Sequence, residues 1–301
     1  MRHNAEIIGF GALNCDKIFR VEDLTPPGSE TGIISATRQP GGSAANTIVG
    51  LARLGVKTGF IGTVGNDREG SLLLDDLKRE GVDLQGIIKA DGDTGAALIF
   101  IDSHGERAIY VLPSVNDTFI AANHDYTQTA KILHLSSFMG NDQLRMQLSY
   151  IEQLRSKRTK ISFSPGNIYV KLGLDALKPL IERSLVLFLN KEEANALTGT
   201  SDVEDLASFL DLGAKIVAVT LGNKGSHIIT HSESIELPPY KSKINDTIGA
   251  GDAFAAGFLY GQLTGKGPRE SGLYGNFMAS KSIAELGGRK GLLRDLNGLN
   301  E

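Results

Sequence analysis

Near the C-terminal end, Asn245-Asp246-Thr247-Ile248-Gly249-Ala250-Gly251-Asp252-Ala253-Phe254 joins small residues to a carboxylate. The Gly249-Ala250-Gly251 stretch lets the backbone turn tightly and point successive N–H groups outward. The run that follows, Ala255-Ala256-Gly257-Phe258-Leu259, reads as a buried helix beginning at about Asp252. Unpaired N–H groups and the positive end of the helix dipole then converge on one point. Such a point favours a phosphate, above all one gaining charge during transfer. Asp252 stands beside it as a proton acceptor; Asp is also a preferred helix N-cap, so residue type alone leaves both roles open.

A second constellation lies near the start, at Gly41-Gly42-Ser43-Ala44-Ala45-Asn46. Paired glycines before a small-residue helix let a ligand approach the backbone, and Asn46, one turn in, offers a donor and acceptors. A glycine-rich packing turn with Asn46 as a local cap has the same spelling. A third glycine pair, Gly9-Phe10-Gly11, follows a strand-like run and invites comparison with a dinucleotide-binding turn. The third glycine of that fingerprint is missing, since position 14 is Asn.

These residues need a scaffold, and the chain alternates short apolar runs with amphipathic stretches. Strands are predicted at 6–11, 58–64, 131–135, 159–163, 185–189 and 215–220. Helices are predicted at 47–54, 70–80, 142–156, 173–183, 191–197 and 203–210. This alternation means βαβ units, hence a parallel sheet with helices on both faces. Segments 17–38 and 96–112 instead alternate apolar and polar residues. The second carries Ser103-His104-Gly105-Glu106 between two strand-like arms, a hairpin signal. The two segments predict a small separate sheet; an antiparallel extension of the main sheet is the plainer arrangement. The last eight residues, from 294, read as a loosely ordered tail.

Composition narrows the function. With 301 residues, 41% hydrophobic and 22% charged, the chain can fold around one large core, and residues 1–301 are expected to form a single domain. A net charge of −4 without long Lys or Arg runs argues against nucleic acid as the main partner. The single Cys15 excludes a disulfide framework within the chain and fits a reducing compartment. No 18-residue apolar run is present and the N-terminus lacks the pattern of a signal peptide, so a cytoplasmic protein without membrane association is expected.

Taken together, GGSAAN and DTIGAGDAF resemble the two signatures of the ribokinase-like (PfkB) carbohydrate kinase family. LARLG, FIGTVGNDREG, LKREGVD, Asn190-Lys191-Glu192-Glu193-Ala194 and Thr220-Leu221-Gly222 extend the resemblance from about residue 6 to 291, in the family's order. It implies a three-layer α/β/α domain with a mostly parallel central sheet and a small β-sheet lid, formed by segments 17–38 and 96–112. It implies ATP-dependent transfer of the γ-phosphate to a hydroxyl of a small sugar, as in ribokinases and fructokinases. By that resemblance Asp252 is the base, and Gly249, Ala250 and Gly251 supply the anion hole. Asn14, Asp16, Gly41, Gly42 and Asn46 match the acceptor-binding positions. Asn190, Thr220 and Gly222 match nucleotide-side positions, and Glu193 a water-mediated Mg²⁺ position. Asp246 and Thr247 match part of a monovalent-cation site, for K⁺, and residues 280–291 should lie near adenine and ribose. In some such enzymes the lid is also a dimer interface, which makes a homodimer an expected partner.

One position departs from the pattern: Ser164-Pro165 stands where many relatives carry Asp-Pro, which puts in doubt any contact that acid makes. The acceptor itself stays open. A nucleoside needs a slot for its base, for which Phe19, Phe100 and Ile109 are lid candidates, though ordinary lid packing accounts for them equally. A sugar phosphate needs a basic group, for which Arg38 and Arg107 are candidates. A sugar-binding regulator without catalysis is a further alternative that an intact Asp252 opposes.

Overall fold

The computed structural model describes residues 5–118, 124–154, 158–200 and 203–299. With strands numbered in chain order through both sheets, β1 is Ile7–Phe10, β2 Asn14–Val21, β3 Ile33–Gly41, β4 Thr58–Gly65 and β5 Asp83–Ala90. Then come β6 Gly95–Ile101, β7 Arg107–Leu112, β8 Ile132–Ser136, β9 Lys160–Ser164 and β10 Ser184–Asn190. The last are β11 Ile216–Thr220, β12 Ser226–Ile229 and β13 Ser234–Leu237. The main sheet runs β13-β12-β11-β10-β9-β8-β1-β4-β5. Every pairing from β11 to β5 is parallel, and β12 and β13 close the other edge antiparallel.

Because successive side chains of a strand point to opposite faces, each buried strand contributes to two cores. Ile8, Phe10, Leu133 and Leu135 meet Leu144, Tyr150, Leu177, Leu180 and Phe209 on one face. Those partners come from α3 (Asn141–Glu152), α5 (Leu174–Ile181) and α8 (Ser208–Asp211), grouped in the chain with α4 (Gly166–Val170), α6 (Lys191–Thr198) and α7 (Val203–Leu206). Ile7 and Ile132 face the second core, with Ile48, Leu51, Leu73, Leu77, Phe254, Phe258 and Met278. These belong to α1 (Ser43–Arg53), α2 (Arg68–Arg79), α9 (Ala250–Leu263) and α10 (Pro268–Ser282). The result is the expected three-layer α/β/α arrangement.

Several boundaries differ from the sequence expectation. Strand β5 and the short pair β12 and β13 were not foreseen, because DLQGIIKA and the four-residue SHII and SIEL carry little apolar signal. Helix α1 begins at Ser43 rather than 47, and the predicted helix 203–210 divides into α7 and α8. Helix α3 ends at Glu152, and residues 155–156 of its predicted extent lie outside the described residues, as do residues 1–4 and the tail's residues 300–301.

Segments 17–38 and 96–112 do form a separate sheet, ordered β3-β2-β6-β7, rather than an edge of the main one. Its pairings are mixed: β2 is antiparallel to β3 and parallel to β6, and β6 is antiparallel to β7. Register places Asp16, Ala97 and Val111 on one face, followed outward by Ile18, Ile99 and Ile109, then by Arg20, Ile101 and Arg107. Phe19, Phe100 and Ala108 sit on the opposite face. No helix among the described residues is long and apolar enough to cross a membrane.

Candidate active site

The parallel strands β8, β9, β10 and β11 all end at one edge of the sheet, with Asn190 of β10 directly beside Thr220 of β11. The crevice outside the carboxyl ends of such strands is where α/β sheets bind ligands. There a cavity is lined by Ser43, Ser164, Asn190, Glu193, Thr220 and Asp252, among others. An adjoining cavity of about 400 Å³ runs past Thr220, Gly222, Tyr240, Thr247, Gly251 and Ser280.

Helix α9 begins at Ala250, two residues before the expected start. Gly249 is its N-cap at φ 77°, and a Cβ there would lie 2.7 Å from the Cα of Gly288, so both conformation and space favour glycine. Ala250 N–H donates to the Thr247 carbonyl at 3.3 Å, leaving the first-turn N–H groups of Gly251 and Asp252 without an intrahelical acceptor. The helix has no side-chain cap. Asp252 is therefore not the capping residue. Its Oδ1 instead accepts from Ser43 Oγ at 2.6 Å and its Oδ2 from Asn46 Nδ2 at 2.9 Å. Burial pushes the Asp252 carboxyl up to about 6, against the pull of those two hydrogen bonds and of the Arg289 charge.

Gly42 brings α1 into this position. It holds φ 100°, and a Cβ would strike the Ala12 carbonyl oxygen. A Gly42→Ala substitution is expected to destabilise the protein by about 2 kcal/mol or more, read as a lower midpoint in urea unfolding. Gly41 lies against the Asp16 carboxylate, leaving no room for a Cβ. Asp16 is 7% exposed, and burial pushes its carboxyl up to about 7, opposed by Arg289 and reinforced by Asp252. Asn14 is oriented by a buried neighbour: Asn116 Nδ2 donates to its Oδ1 at 2.9 Å, which turns the Asn14 amide nitrogen toward other partners.

At the carboxyl end of β10, Asn190 and Glu193 form a capping box at the start of α6, with bonds of 2.8 and 3.0 Å. One Glu193 oxygen is engaged there while the residue still lines the cavity shared with Asp252; burial holds its carboxyl above the usual range. Among the described residues no cluster of three or more His, Cys, Asp or Glu could cage a metal. A Mg²⁺ carried by nucleotide phosphates and touching Glu193 through water suits this donor set. Asp246 accepts N–H bonds from Ile248 and Gly287, both at 2.9 Å, and Thr247 Oγ1 accepts from Arg107 at 3.1 Å.

Two residues escaped the sequence reading. Ser43 lies inside a recognised motif, but nothing in the spelling says that its hydroxyl meets Asp252. Arg289 lies 243 residues from Asn46 and donates to its Oδ1 at 2.8 Å, a pairing no local pattern announces. The segment expected near the nucleotide divides: Ser280 and Ile283 line the cavity beside Thr220 and Gly222, whereas Gly287 to Arg289 turn toward Gln39 and Asn46. The pair Gly9 and Gly11 serves packing, since a Cβ on Gly9 would strike Ile48 and Phe60 and one on Gly11 would strike Ser136.

Residues 4–294 match the pfkB family of carbohydrate kinases. An uncharacterized sugar kinase of Archaeoglobus fulgidus is 40% identical, over 83% of this chain and all of that one. An ATP-dependent ribose-1-phosphate kinase of Halopiger xanaduensis is 34% identical, over 86% of this chain and 85% of its own length. The crystal structure of the Methanocaldococcus jannaschii nucleoside kinase superposes with a TM-score of 0.83 at 28% identity, covering 96% of this chain and 95% of that one. The chain belongs to the pfkB family of carbohydrate kinases, and its reaction is ATP-dependent phosphoryl transfer to a sugar.

Proposed function

We propose that the acceptor is a small sugar, bound between the Asp16-bearing face of the small sheet and Asp252, whose hydroxyl is deprotonated by Asp252 as it takes the γ-phosphate of ATP. The observation that carries this reading is the Asp252 carboxylate at the mouth of α9, beside free first-turn N–H groups and within one cavity with Asn190 and Glu193. The acceptor oxygen attacks the γ-phosphorus, the bond to the bridging oxygen breaks and ADP leaves. The hydroxyl proton passes to Asp252, and the first-turn N–H groups of Gly251 and Asp252 take up the developing charge, with Gly249 setting the turn and Ala250 N–H already given to the Thr247 carbonyl. Bound Mg²⁺ would neutralise phosphate charge beside Glu193 and Asn190. A monovalent cation such as K⁺ would sit by Asp246, whose carboxylate keeps lone pairs beyond its two N–H bonds.

Asn14 and Asp16 recognise acceptor hydroxyls, with Gly41 and Gly42 shaping the floor and Asn46 fixing the base. The small sheet, which carries Asn14, Asp16 and Gly41 at its base, acts as a lid over the acceptor, its Asp16-bearing face lined by Ala97, Ile18, Ile99, Ile109 and Val111. Thr220 and Gly222 bound the nucleotide cavity. Phe19 and Phe100 stack on each other at 5.0 Å on the face turned away from Asp16, which removes them as a slot for a nucleoside base. That outer face also exposes Tyr110 and Leu112 and is the surface through which a homodimer would form.

A phosphorylated sugar is the second reading. Arg107 and Arg20 share a row on the Asp16 face of the lid, and Arg107 reaches Thr247, whereas Arg38 lies on the other face near Glu69. The similarity to a ribose-1-phosphate kinase points the same way. The test is ATP consumption with separate pools of free sugars, sugar phosphates and nucleosides. Turnover with free sugars supports the first reading and turnover with sugar phosphates alone the second. Turnover with nucleosides alone contradicts both.

A further inference from the structure

We infer that Arg289 is a positioning residue for phosphoryl transfer, locking the Asn46 amide against the catalytic carboxylate. The inference rests on the reading of Asp252 as base. Arg289 is 8% exposed, and all three of its guanidinium nitrogens are engaged. Nε donates to Asn46 Oδ1 at 2.8 Å, Nη2 to the Gly41 carbonyl at 3.1 Å, and Nη1 pairs with Asp76 of α2.

An amide has two unlike ends, and here each end faces a charge. With the guanidinium on its oxygen, the Asn46 NH₂ must face Asp252 Oδ2, 2.9 Å away. Flipping the amide would set NH₂ against the guanidinium and carbonyl oxygen against carboxylate, losing both bonds. The same guanidinium holds the Gly41 carbonyl, so one side chain fixes the glycine turn under Asp16 and the partner of Asp252. Lysine cannot copy this, because a single ammonium lacks the planar fork that meets three acceptors in fixed directions.

Charge acts alongside geometry. The groups facing Arg289 are Asp76 from α2 and Glu80 at its end, Asp16 from β2, Asp252 from α9 and Arg53 from α1. Its charge opposes the burial that drives both Asp16 and Asp252 toward protonation. Removing that charge therefore raises both carboxyls, and the acid limb of turnover moves to higher pH.

The test compares Arg289→Lys, Arg289→Met and Arg53→Met, assayed with ATP and whichever acceptor pool the wild-type enzyme consumes. Arg53 Nη1 holds the carbonyls of Arg289 and Leu292, at 2.6 and 3.0 Å, and its Nε and Nη2 pair with Glu80, while none of the Arg289 guanidinium's own bonds involves Arg53, so its variant loosens the surroundings of Arg289 and leaves those bonds in place. Arg289→Lys is expected to lower kcat by about 10²-fold, with nucleotide KM little changed and the acid limb in place, because the charge persists. Arg289→Met should lower kcat at least as far and move the acid limb upward. Arg53→Met should lower the melting temperature and leave kcat per folded molecule and the pH profile unchanged. If both Arg289 variants keep wild-type kcat and acid limb once corrected for folded fraction, or if Arg53→Met matches their loss, the positioning role is wrong. If Asp252→Asn keeps its turnover, the underlying assignment of the base has failed instead.

Discussion

Replacing Asp252 by Asn is expected to lower kcat by about 10²–10⁴-fold, the contribution of a positioned general base. The fold should survive. The introduced amide can turn its carbonyl oxygen to the Asn46 NH₂ and its own NH₂ to the Ser43 hydroxyl, which accepts as readily as it donates. Removing a carboxylate that burial already disfavours also relieves a desolvation cost. Nucleotide affinity should hold or improve, since a negative charge has left the neighbourhood of the phosphates. Steady-state kinetics alongside nucleotide titration checks this. Near-normal turnover in the variant would remove Asp252 from the mechanism, and parallel loss of nucleotide binding would indicate a misfolded site.

The second large effect concerns the acceptor. Asp16→Asn keeps shape but removes a buried charge that would accept hydroxyl hydrogen bonds. Bonds to charged groups contribute about 1.5–3 kcal/mol each, so the acceptor KM should rise by about 10–150-fold per lost contact. The KM for ATP should stay near the wild-type value, because Asp16 lies with Gly41 and the lid, away from Thr220 and Gly222. The wild type should show a related trend: as pH falls below about 7, Asp16 takes a proton and acceptor KM rises. Equal losses in acceptor and nucleotide affinity would mean that the substitution disturbs the fold rather than one pocket.

How much of this was legible in sequence depends on the range of the interaction. The helix after Gly251 and the turn before α1 were local features, and their small residues announced them, although α9 starts two residues earlier than the carboxylate suggested. The alternation of lid residues was equally local. It told which side chains share a face, but not which face turns to the cleft. That is set by contacts such as Arg107 with Thr247, 140 residues apart, and it places Phe19 and Phe100 outside. Strands β12 and β13 escaped because four residues carry too little periodicity. Arg289 escaped for a different reason: an arginine after two glycines reads as a surface turn, and only folding buries it between Asp76 and Asn46.

The most direct test of the central claim is the pH dependence of the phosphoryl-transfer step in the wild-type enzyme, followed in a single turnover. A carboxyl must lose its own proton before it can accept one from the acceptor hydroxyl. The rate is therefore predicted to rise through an acid limb near pH 6 and then level off, because burial holds Asp252 at about 6. A rate that is flat through that range, or that falls as pH rises through 6, would contradict Asp252 as the base.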